Sequence, residues 1–171
     1  MYQRKEMKDY KFIASVFLLS VTLLSSCVKE KDFPVEPTIT FLYYSAYTND
    51  SADCVIAFKD GDGDVGILDG DETTPNDYTL KYLYKDTDGT FKPFDSNTAT
   101  PAMDTLFYSY RVPNLTPEGQ YKSLDGEIRA KLRAAPLYYP LHTIVKFEIT
   151  LRDRAGHVSN RVMTSEITVT P

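Results

Sequence analysis

No tryptophan, two histidines and two cysteines occur in 171 residues, and each scarcity closes off a class of function. With only Cys27 and Cys54 the chain can form at most one disulfide, which excludes a multiply bridged secreted scaffold. His142 and His157 stand far apart, without zinc-ligand spacing, and no G-x-S-x-G elbow is present. Neither zinc hydrolysis nor serine-nucleophile chemistry has its residues. A basic excess is also missing: 19 Lys and Arg face 24 Asp and Glu, a net charge of −5. Nucleic acid, which demands a basic face, is thereby excluded as a partner. No segment carries a helical stripe, and no apolar run reaches the roughly 20 residues that span a bilayer.

What is present begins with a leader. Arg4, Lys5, Lys8 and Lys11 precede an apolar run from Phe12 to Leu24, followed by Leu24-Ser25-Ser26-Cys27. A basic start, a short apolar stretch and small residues before a cut site describe a secretory signal over residues 1–26. Leu-Ser-Ser-Cys resembles the bacterial lipobox, a resemblance that implies acylation of Cys27 and cleavage just before it. Stable anchoring takes two acyl chains or more, so the implied protein is tethered to membrane outside the cytoplasm. Residues 27–37 then read as the lipidated cysteine and a linker, extended by Pro34 and Pro37. The early Lys-Glu-Lys-Asp resembles the charged export signal of Bacteroidetes-type lipoproteins, which implies display on the outer membrane surface.

From residue 38 the hydrophobic period is two. In TIVKFEITLR, Val145, Phe147, Ile149 and Leu151 share one face while Lys146, Glu148, Thr150 and Arg152 take the other. EIRAKLRA repeats this with Ile128, Ala130 and Leu132 inward. Alternation of this kind makes strands with one buried and one wet face. Further strands are predicted over 38–47, 52–59, 78–85, 104–112 and 162–170, with Cys54 a small buried residue on the second. Turn signals at Asp88-Gly89, Pro113-Asn114, Pro117-Glu118-Gly119 and Ala155-Gly156 separate them. About seven strands and no helix predict an all-β, antiparallel, immunoglobulin-like β-sandwich over residues 38–171. The closing FEITLRDRAGHVSNRVMTSEITVT resembles the last hairpin of immunoglobulin-like and fibronectin-III-like modules of bacterial surface proteins. The cysteine pair and core tryptophan of antibody domains are absent.

The densest chemistry lies in FKDGDGDVGILDGDE, residues 58–72, with Asp60, Asp62, Asp64, Asp69, Asp71 and Glu72 among four glycines. Asp60-x-Asp62-x-Asp64 matches the first ligand positions of an EF-hand, but Val65 stands where that loop needs Gly, Asp71 replaces the bidentate Glu, and strands flank it. FKDGDGDVG instead resembles a segment of Bacteroidetes lipoproteins with immunoglobulin-like domains. Asp and Gly also favour solvated turns for backbone reasons. Against a plain turn stands the mutual repulsion of six carboxylates, which Lys59 alone cannot balance. Calcium, with six to eight oxygen ligands, is the expected neutraliser. If 52–59 is strand B and 144–152 strand F, the acidic stretch is the B–C loop and 153–160 the F–G loop, at one end of the sandwich. Asp60, Asp62, Asp64, Asp69, Asp71 and Asp153 are therefore the expected metal ligands, with Asn160 a further candidate.

Tyr138 and Tyr139, in APLYYPLH, are either ligand contacts for a glycan or protein partner or a plug at the sandwich bottom. The reading that results is a non-enzymatic, lipid-anchored envelope module with a calcium-stiffened loop, serving a glycan or an envelope protein. A spacer or adhesion unit is the alternative, and a small glycan-acting hydrolase a third.

Overall fold

The computed structural model describes residues 32–48, 51–94, 105–133 and 142–169. Cys27, the leader, Tyr138 and Tyr139 lie outside them.

Nine strands form among the described residues: β1 (Thr38–Thr48), β2 (Ser51–Asp60), β3 (Tyr78–Lys85), β4 (Phe91–Pro93), β5 (Phe107–Tyr110), β6 (Leu124–Arg133), β7 (Ile144–Leu151), β8 (Val162–Met163) and β9 (Ile167–Thr168). All pairs are antiparallel, in a small sheet of order β1-β2-β6 and a large one of order β4-β3-β7-β8. In the large sheet β4 and β5 share one edge of β3, while β8 and β9 share the outer edge of β7. The two sheets make an all-β sandwich, with β2 and β7 on opposite layers as strands B and F would be.

The core is built by the period-two faces. Val145, Phe147, Ile149 and Leu151 of β7 are fully buried, opposite Cys54, Ile56 and Phe58 of β2 and Ile128, Ala130 and Leu132 of β6. Tyr78 and Tyr82 of β3 are fully buried as well. The Tyr78 hydroxyl donates to Cys54 Sγ at 3.5 Å, so its polar end is satisfied inside the core.

Three features depart from the expected strands. Of the stretch 104–112, only Phe107–Tyr110 forms a strand, β5. β4, three residues long, is too short to show a period. The stretch 162–170 divides into β8 and β9 because Thr164 turns inward between them. Its Oγ1 accepts the Phe147 amide at 3.0 Å, so a side chain replaces a ladder carbonyl. Ser159 does the same five residues earlier, its Oγ accepting the Leu151 amide at 3.0 Å.

Candidate metal centre

β2 ends in Asp60 and β7 delivers Asp153 two residues beyond its own end. Both strands end at the same pole of the sandwich, since carboxylate oxygens of Asp60 and Asp153 lie within 4.8 Å of each other. The loop after β2 must then turn tightly against its neighbours. Gly63 has φ of 71°, and a Cβ there would collide with the Lys122 carbonyl; Gly66, at 91°, would collide with that of Pro113. The glycines of DGDGDVG thus serve close backbone approach, which any larger residue would prevent.

This packing gathers Asp60, Asp64 and Asp153, each offering an oxygen within 4.8 Å of the others. Asp60 is fully buried and Asp153 nearly so, with Asp64 half-buried beside them. Several of their oxygens are occupied. Asp60 Oδ2 accepts the Asp64 amide at 3.0 Å, and Asp64 Oδ2 accepts the Ala155 amide at 2.9 Å. Asp153 Oδ1 accepts the amides of Gly156 and His157 at 2.7 and 2.8 Å, and its Oδ2 lies 2.8 Å from His157 Nδ1. Asp60 Oδ1 and Asp64 Oδ1, however, are buried without any partner. A buried carboxylate oxygen left unpaired costs free energy that a cation, a proton or a hydrogen-bond donor recovers. Asp53 Oδ1 and Asp77 Oδ2 are buried and unpartnered too, but neither residue belongs to the gathered three.

The electrostatics agree. Burial, then the charge of Asp62, pushes the Asp60 carboxyl up to about 6. Burial is also the main cause that raises Asp64, with Asp153 and Asp62 adding to it. The bond to Asp153 raises His157. Calcium holds oxygens at about 2.3–2.6 Å, so opposite ligands of one ion stand roughly 5 Å apart. Three oxygens within 4.8 Å fit that sphere.

The remaining candidates fall elsewhere. Asp62 is exposed; its charge reaches Asp60 and Asp64, but it is not one of the gathered three. Asp69 and Asp71 line a separate open groove of about 490 Å³ with Glu72 and Arg111. Asp71 spends its carboxylate on Thr73 and Thr74, and those hydroxyls and amides hold it well below the usual range. Asn160 brackets Ile39, accepting its amide at 2.8 Å and donating to its carbonyl at 2.9 Å. Lys59 sits over the Phe33 ring, 5.4 Å from its centroid. At the other pole His142 stacks on Tyr84 at 4.0 Å, and burial lowers it.

Arg154 is the residue that sequence reading passes over. Its guanidinium donates to the Gly66 carbonyl at 2.5 Å, to Asn114 Oδ1 at 2.9 Å and to Thr116 Oγ1. One side chain therefore joins the acidic loop, the 113–116 segment and the turn after β7. No local pattern announces it, since its partners lie about 40 and 90 residues away. Comparison with family models, with curated proteins and with solved structures finds no match to this chain.

Proposed function

We propose that this chain is a non-catalytic, lipid-anchored module of the cell envelope whose acidic pole holds a calcium ion. The observation that carries the metal is the pair of buried, partnerless oxygens on Asp60 and Asp64 beside Asp153. The ion would bind Asp60, Asp64 and Asp153, with Asp62 near enough to add charge from the solvent side. Its work is structural: it neutralises carboxylates that Arg154 and the glycines already hold together. The anchor is Cys27, read from the leader and the lipobox-like Leu-Ser-Ser-Cys, and the site of action is the outer membrane surface. There the module serves a glycan or an envelope protein.

The test is calcium titration of residues 31–171, a span that contains every described strand and core residue. Calcorimetric titration should give one ion per chain and a raised melting temperature, and Asp60→Asn should abolish both. An unchanged melting temperature at millimolar calcium would falsify the metal reading. A glycan array with and without calcium then separates a sugar ligand from a protein partner.

A further inference from the structure

The sandwich has four edges, and they are not treated alike. The large sheet ends in strands of two to four residues, β4 with β5 on one side and β8 with β9 on the other. In the small sheet β1 is broken by two register shifts, at 41/43 and 46/48, and Asn160 brackets Ile39 along it. Short strands, bulges and covered backbone are the usual ways a protein blunts an edge. β6 is long, unbulged and, among the described residues, uncovered; what it carries instead is charge. It holds unbroken register with β2 over ten residues, and among the described residues it pairs with β2 alone. A long regular edge of this kind can take a further strand along its amides and carbonyls.

The side chains along it say what fits. On the wet face run Asp125, Glu127, Arg129 and Lys131, acidic in the first half and basic in the second. Lay a second β6 antiparallel, with Ile128 facing Ile128. Glu127 then opposes Arg129 and Asp125 opposes Lys131, each pair made twice by the symmetry. On the inner face Gly126 meets Ala130 and Leu124 meets Leu132. No like charges stand opposite each other. Moving the axis one residue either way sets Arg129 against Arg129 or Glu127 against Glu127, so charge selects this register. Glu127 and Lys131 are exposed and, among the described residues, make no ion pair. The exposed Arg129 guanidinium lies 3.4 Å from Asp53 Oδ2 and donates to the Tyr43 hydroxyl at 3.2 Å, with further donors left for a partner. Just inside the edge lies a cleft of about 200 Å³, whose apolar lining includes Tyr110, Leu115, Ile128 and Ala130. The same cleft of a second copy would meet it across the axis.

We propose that β6 is a self-pairing edge, through which two copies of this chain join their small sheets into one of six strands. The interface is isologous, the same patch used by both partners. It does not depend on the metal, because β6 contributes none of the three gathered carboxylates.

Sedimentation equilibrium of residues 31–171 in EDTA tests it. The native chain should form a dimer, and Glu127→Lys, which turns two attractive pairs repulsive, should weaken it about tenfold. Lys131→Glu, placed opposite Asp125, should do the same, and both exposed changes should leave the melting temperature of the monomer unaltered. A native chain that sediments as a monomer at about 100 μM would overturn the proposal. So would a Glu127→Lys dimer as tight as the native one.

Discussion

Asp60 shows how one side chain sets the pH response of the acidic pole. Its carboxyl is held up to about 6 by burial and by Asp62, against an ordinary value near 4. A carboxyl raised in the folded state costs stability once ionised. The cost is absent below about pH 4, grows as pH rises, and is complete above about pH 6. His157, raised by Asp153, acts in the same direction: the stability it adds when charged fades as pH climbs through its folded pKa. In EDTA, Asp60→Asn should therefore be about 1–2 kcal/mol more stable than the native chain at pH 7.5, with the gap closing by pH 4. Urea denaturation across that range measures it, and a gap that ignores pH would contradict the assignment. The Asp-Gly spacing made Asp60 and Asp64 visible in the sequence as candidates. It could not separate them from Asp69 and Asp71, because carboxylates that satisfy themselves locally, as Asp71 does with Thr73 and Thr74, look the same in a string of letters.

Between strands, the decisive contacts are made by residues that punctuate rather than extend. Thr164 and Ser159 lend their hydroxyls to β7 amides, and the inward turn of Thr164 is why a single predicted strand over 162–170 becomes two short ones. Hydroxyl residues in a strand usually read as neutral, so nothing in the pattern marked the break. Arg154 plays the larger part at the acidic pole, because its bonds reach three separate segments. Arg154→Ala should cost about 2–3 kcal/mol, since it leaves carbonyl and side-chain acceptors unpaired. It should also weaken calcium binding by loosening the loop that presents Asp64. Chemical denaturation and calcium titration of the one variant read both effects. Gly63→Ala should be at least as harmful, as the methyl meets the Lys122 carbonyl at a positive φ.

For the molecule as a whole, the period-two reading carried far. The buried faces of β6 and β7 are those the alternation predicts, and the sandwich follows from strands of this kind, with one wet side. The alternation fails on β2, where Asp53 and Val55, on the face away from the core, are buried too. Asp53 there accepts the Tyr47 hydroxyl at 2.5 Å and lies 3.4 Å from Arg129, contacts set by sheet order and therefore invisible to local period. Cys54 was legible as a small core residue, and burial pushes its thiol up to about 11. It should resist thiol reagents at pH 8 until the sandwich unfolds, a rate that rises with urea and falls with calcium.

The chain comes in along Phe33 and Pro34, whose carbonyls crowd Gly61 at the acidic pole, and its last described strand pairs with the start of β7 at the opposite pole. Tension applied between those two ends runs parallel to β1 and β2. It would load their backbone bonds together in shear instead of peeling them one by one, so a pull on those two ends is resisted along the whole length of both strands at once.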